Sequence, residues 1–188
     1  MSKTNDPASE PDPGAGDLLL PSTITRPELL INDSDRTFRQ LMHDLTALCG
    51  RIDQVRTKFA KSLGISGPQY NVFLFVAQNQ GAEGITVSKV ADGLLVTGAY
   101  VTKEVNQLIV HGFVTKSPNP DDGRSVLLQV SPRGMESLAE LAPALQNVHD
   151  QIFKSLDQEC FLTVSKIVHQ LLMDAEKTAK KVSYYLDE

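Results

Sequence analysis

Residues 84–134 read GITVSKVADGLLVTGAYVTKEVNQLIVHGFVTKSPNPDDGRSVLLQVSPRG. Their patterning decides the fold. Val87 to Leu95 carries apolar residues at helical spacing. A tight turn follows near Val96-Thr97-Gly98, then a second helical pattern from Ala99 to His111. Next come a strand-like run (Phe113 to Ser117), a turn-rich tip (Pro118-Asn119-Pro120-Asp121-Asp122-Gly123-Arg124) and a second apolar run (Val126 to Val130). Two helices followed by a hairpin with a charged tip make a tool for gripping a DNA duplex. The helix enters the major groove and the hairpin reaches along the backbone to the minor groove.

On the first of these helices Val87, Val90, Ala91 and Leu94 face inward, with Ala91 small where the two helices cross. On the second, Val101, Val105 and Leu108 form the buried stripe. Ala99, Tyr100, Thr102, Lys103, Asn106 and Gln107 are left on or beside the open face. Lys103 can reach a guanine or a phosphate, Thr102 and Tyr100 can bond phosphates, and Tyr100 or Ala99 can touch a thymine methyl. Arg124 at the hairpin tip suits a narrow minor groove, where the negative potential is strongest. Asp122, two residues before it, could lock the guanidinium in one pose, although taken alone the pair reads as an ordinary surface ion pair.

The rest of the chain is mainly α. Asp35 to Leu63 repeats apolar residues at steps of three and four, from Phe38 through Cys49 to Leu63, with Ser34 or Asp35 as cap and Gly64 as stop. Ser66-Gly67-Pro68 opens a second helix, Gln69 to Gln80. Ser131-Pro132 starts another, and after a break near Asp157 a last helix carries Phe161, Val164, Ile167, Val168, Leu171, Leu172 and Ala175. The expected fold is a mainly α winged helix-turn-helix with a small β-hairpin wing and N- and C-terminal dimerisation helices. Residues 1–33 read as a flexible acidic arm, 34–64 and 132–188 as the dimerisation region, and 65–131 as the DNA-binding lobe. The long stripes exceed what one lobe can cover, which implies a homodimer.

Charge is placed rather than abundant. The net charge is −5, but residues 1–33 hold six acids against two bases, Lys3 and Arg26. Residues 84–134 hold five bases (Lys89, Lys103, Lys116, Arg124, Arg133) against four acids. DNA affinity must therefore come from geometry and dimerisation rather than bulk basicity. Cys49 and Cys160 lack CxxC spacing, and four scattered histidines show no ligand spacing, so no metal or cofactor is expected. No apolar run is long enough to span a membrane, and no signal-peptide order opens the chain, so a cytoplasmic location is expected.

Six motifs together resemble the MarR family of bacterial transcription regulators: Ile65-Ser66-Gly67-Pro68-Gln69-Tyr70, Ile85-Thr86-Val87-Ser88-Lys89-Val90-Ala91, Val101-Thr102-Lys103, His111-Gly112-Phe113-Val114, Asp121-Asp122-Gly123-Arg124 and Ser131-Pro132-Arg133-Gly134. The resemblance runs from about Asp35 to Lys177. It implies a dimer with interlocked terminal helices, winged lobes on an inverted-repeat operator, Arg124 as the minor-groove residue and Asp122 as its orienting partner. The family usually has Arg where this chain has Lys103, and an ammonium discriminates bases less well than a guanidinium fork.

The resemblance also implies an effector, a small aromatic acid or its coenzyme A thioester, held between the dimer helices and the winged lobe. His43, Arg51, Arg56, Tyr70 and Asn71 are the polar candidates. An Arg would take the carboxylate bidentately and an aromatic wall would cover the ring. Two alternatives keep other roles open. Cys49 would serve an oxidant sensor, although on the apolar stripe it reads as inert packing. A winged-helix module that binds only protein needs neither Arg124 nor Lys103. No phosphate loop, nucleophile elbow or metal motif supports an enzyme.

Overall fold

The computed structural model describes residues 20–182 and Tyr184. The chain forms two compact units divided after Phe75.

The first unit is built on α1 (Arg36–Ser62), a 27-residue helix about 40 Å long. A single 3-10 turn (Pro27–Leu29) precedes it, and Ile31 and Ser34 pair across a tight turn in which Asn32 and Asp33 both take positive φ. The buried Asp35 organises this entry. Its carboxylate accepts from the Thr23 N–H at 2.8 Å and the Thr23 hydroxyl at 3.0 Å, and pairs with Arg39 at 2.8 Å. The Thr23 amide, ahead of the hydroxyl and Arg39, holds the Asp35 carboxyl below its usual value. Within the segment read as an arm, Thr23 is thus tied to the start of α1, an anchor that composition does not reveal. Residues 1–19 of the arm, with Leu18 and Leu19, lie outside the described residues.

The apolar stripe of α1 finds little cover within the chain. Ala60 alone is buried, and Leu41, Met42 and Leu48 are about half exposed. Gly64 at φ +71° ends the helix in the left-handed conformation that glycine permits. Helix α2 (Gly67–Asn79) begins with a reciprocal capping box: Gln69 N donates to the Ser66 hydroxyl, and Ser66 N donates to Gln69 Oε1. Along α2, Tyr70, Val72, Phe73 and Val76 are wholly buried.

The second unit holds a three-stranded antiparallel sheet in the order β1 (Ile85–Thr86), β3 (Val126–Val130), β2 (Val114–Pro118). Val114 faces Val130, and Pro118 faces Val126. Between β1 and β2 lie α3 (Val87–Leu94) and α4 (Gly98–Val110). Thr86 caps α3 by accepting from Lys89 N, and Thr97 caps α4 by accepting from Tyr100 N. Val90, Ala91, Val101, Val105, Leu108, Phe113, Val114 and Leu128 form the core. Val87 and Leu94, read as inward, are half-buried.

Ser131 joins the wing to α5 (Pro132–Ile152). Its hydroxyl accepts from Gly134 N at 2.9 Å and donates to Gly112 O at 2.6 Å. A Cβ at Gly134 would run into the Phe113 carbonyl and lie 2.7 Å from Val130 Cγ1. The last helix, α6 (Gln158–Ala179), is capped by Asp157 and has no buried residue. Phe161, Leu162, Val164, Ile167, Val168, Leu171 and Leu172 are each between 41% and 53% exposed. Among the described residues no helix is long and apolar enough to cross a membrane.

Candidate nucleic-acid interface

Helix α4 sorts its side chains as its spacing predicts. Val101, Glu104, Val105 and Leu108 are buried, while Ala99, Tyr100, Thr102, Lys103, Asn106 and Gln107 are exposed. Tyr100, Lys103 and Gln107 follow one another at helical steps along the open face. Glu104 is a buried acid that sequence reasoning passes over, although its spacing of three from Val101 and four from Leu108 puts it in the apolar stripe. Its carboxylate lies 3.7 Å from Lys103 Nζ. Burial, with Glu104 beside it, pushes the Tyr100 hydroxyl above its ordinary value.

The wing tip is a closed hydrogen-bonded loop. Asn119 Oδ1 accepts from Asp121 N at 3.1 Å, and Asn119 Nδ2 donates to the Ser125 hydroxyl at 2.8 Å. Ser125 returns both its N–H, at 2.9 Å, and its hydroxyl, at 3.2 Å, to Asp122 O. Asp122 Oδ1 accepts from the Arg124 backbone N–H at 3.1 Å. The orienting role that the resemblance implies for Asp122 is met here through the backbone. Asp122 fixes the main chain at Arg124, and no ion pair among the described residues engages the exposed Arg124 side chain.

Thr102 on α4, Asp122 and Arg124 on the wing, and Thr86 and Ser88 at the start of α3 line one open hollow of about 360 Å³. Three elements thus converge on hydroxyl donors and a guanidinium, a set suited to phosphate oxygens. Ser88, Asn119 and Ser125 also line it. The sequence reading did not single them out, although a Thr-x-Ser at a helix start is a signal for such a role.

The five effector candidates all lie in the first unit. Around α1, at about 100° per residue, Arg51 stands roughly 80° and Arg56 roughly 220° from His43, so the three do not share a face. His43 is exposed, and Arg51 donates to Gln54 Oε1 at 3.0 Å. Arg56 and Tyr70 do come together. Burial raises the Tyr70 hydroxyl above its ordinary value, and the Arg56 charge opposes that rise. The Tyr70 hydroxyl and Asn71 Oδ1 are both buried without a hydrogen-bond partner. Cys49, Ile52, Asp53 and Arg56 line a hollow of about 290 Å³. Cys49 is exposed rather than packed, because the stripe it belongs to is uncovered within the chain.

Residues 63–125, from the end of α1 through the wing tip, match the MarR family. Over that third of its length the chain resembles the MarR family's winged-helix regulators. The HTH-type transcriptional repressor IacR of Pseudomonas putida is 20% identical over 114 residues. That alignment covers 61% of this chain and 66% of IacR, just under two thirds of the relative. A MarR protein from Peptoclostridium difficile shares the fold with a TM-score of 0.63 at 21% identity, covering 81% of this chain and 96% of that one. A mutant MarR from E. coli complexed with operator DNA gives 0.58 at 22% identity, covering 73% and 94%. The family's members are transcription regulators, not enzymes.

Proposed function

We propose that this protein is a cytoplasmic, DNA-binding transcriptional repressor that sits as a homodimer on an inverted-repeat operator and leaves it when a small aromatic acid or its coenzyme A thioester binds. The observation that carries the DNA reading is the hollow shared by Thr102, Ser88 and Arg124, where helix and wing side chains face the same space. Lys103, Tyr100 and Asn106 extend that surface along α4 toward base edges. The dimer reading rests on α1 and α6, whose apolar stripes are uncovered in one protomer. An exposed apolar face of that extent marks an interaction surface.

The effector reading rests on Arg56 and Tyr70. A buried hydroxyl without a partner costs free energy unless something completes it. A carboxylate bonded to Arg56 would supply an acceptor, and an aromatic ring would fill the apolar part of the hollow. Arg51 and His43 take the outer position, toward the solvated part of a larger ligand. A mobility-shift titration with DNA from upstream of the protein's own gene tests the proposal. Retardation that weakens with salt and with added aromatic acid is expected. Binding neither to that DNA nor to any inverted repeat selected from random sequence would refute it.

A further inference from the structure

Glu104 breaks the pattern of its own helix. It stands among Val101, Val105 and Leu108, the side chains that bury α4, and is only 5% exposed. An apolar residue there would complete the stripe. A carboxylate carries a desolvation cost instead, and needs a partner to offset it. Among the described residues no side-chain hydrogen bond engages Glu104, and its one ion pair is with Lys103. Departures of this kind from the local pattern concentrate at functional sites.

The two partners are unevenly matched. The Lys103 side chain is 78% exposed and that of Glu104 only 7%. Neighbouring residues on a helix point about 100° apart. The Lys103 stem therefore lies back over α4 to bring its Nζ within 3.7 Å of the carboxylate. Tyr100, one turn before Glu104, is near enough for the same charge to act on its hydroxyl. The acid thus sits beneath two residues of the open face. An ammonium is a strongly hydrated point charge on a flexible stem. Left free beside a duplex it goes to the nearest phosphate, and a phosphate contact carries no sequence information. Held against the helix, it stays where the helix meets base edges, and there guanine O6 and N7 are the acceptors for a lysine.

We infer that Glu104 is a positioning residue for Lys103, holding the ammonium for a guanine in the major groove and so setting sequence preference rather than gross affinity. The inference rests on the DNA reading proposed above. It adds the base type that α4 reads and the buried acid that lets a lysine read it.

The test measures the affinity of the intact protein for two duplexes of equal length. One is the inverted repeat that the parent selects from random sequence, the other a scramble of it, and the ratio of the two affinities is the readout. Glu104→Gln keeps the side chain's size and removes its charge. It is expected to lower the ratio about tenfold, within the range of a single base contact, while binding to the scramble holds or rises. Lys103→Met, at an exposed position, is expected to lower the ratio as far and to erase a guanine preference in each half-site. The double variant is expected to match Lys103→Met, because Glu104 acts through the ammonium. A purely structural Glu104 would lower the ratio by the same factor with or without Lys103, and that result overturns the inference. So does a Glu104→Gln variant with the parent's ratio. A Lys103→Met variant with the parent's ratio overturns it too, and is readable whether or not Glu104→Gln folds. A parent that selects no sequence overturns the DNA reading together with this inference, whereas the other contrary outcomes leave that reading in place.

Discussion

The Asp122 carboxylate accepts the Arg124 backbone N–H at 3.1 Å, while the Arg124 side chain projects into solvent. The structure uses residue 122 as an acceptor for the main chain. Asp122→Asn keeps the acceptor and removes an anion beside the DNA, so operator affinity is expected to hold or rise. Asp122→Ala loses the bond and loosens the tip, so affinity is expected to fall. Fluorescence anisotropy with labelled operator measures both. A loss for Asp122→Asn as large as for Asp122→Ala would show that the carboxylate acts through its charge, on the guanidinium.

Tyr70 offers a test of the effector site. Its hydroxyl is buried without a partner in the protein alone. Removing such a group is expected to be neutral or stabilising, since an unsatisfied buried polar group costs about 1–3 kcal/mol. Tyr70→Phe is therefore expected to melt no lower than the parent and to bind an aromatic acid more weakly. Arg56→Ala is expected to lose more of that affinity than Arg51→Ala, because Arg51 is already engaged with Gln54. A Tyr70→Phe variant that melts several degrees lower, with ligand binding intact, would make the hydroxyl purely structural.

Gly134 and Ser131 hold the wing to α5. Gly134→Ala drives a methyl into the Phe113 carbonyl, a backbone atom that cannot step aside. The expected loss is roughly 1–3 kcal/mol or more, as for overpacked sites. Ser131→Ala loses a helix cap and the bond to Gly112 O, with an expected cost of about 1–2 kcal/mol. Urea denaturation measures both. A Gly134→Ala variant within about 0.5 kcal/mol of the parent, the range of ordinary surface changes, would show that this joint is not tight.

The entry to α1 gives the fold a pH dependence. Asp35 has a lowered carboxyl pKa in the folded chain. Its contribution is therefore complete above the unfolded carboxylate value of about 3.9, and is lost as pH falls through the lower folded value. Melting temperature is expected to drop through that acid range, and to drop less steeply in Asp35→Asn. Superimposable acid limbs for the two proteins would remove Asp35 from the account.

Strong periodicity made α1, α4 and the wing readable from sequence, and the open face of α4 was assigned residue by residue. The reading stopped where contacts outweigh pattern. Strand β1 is two residues long, too short to alternate, and exists because Ile85 and Thr86 pair with Leu128 and Leu127. Helix α2 starts at Gly67 rather than Gln69, because the Ser66–Gln69 capping box orders the turn ahead of the apolar run. The path of residues 20–34 depends on Asp35 reaching back to Thr23, a contact with no signature of spacing. The effector candidates share polar residue types, but the turn of α1 separates Arg51 and His43 from Arg56.

The central claim, that the wing and α4 grip DNA together, is tested most directly by the salt dependence of operator binding for the parent and Arg124→Ala. The parent is expected to lose affinity steeply as salt rises. Arg124→Ala is expected to bind more weakly, with a slope of log affinity against log salt shallower by about 1 per subunit, the release of one phosphate contact each. Sedimentation is expected to keep both proteins at twice 20.6 kDa. An Arg124→Ala variant with the parent's affinity and slope would contradict the account.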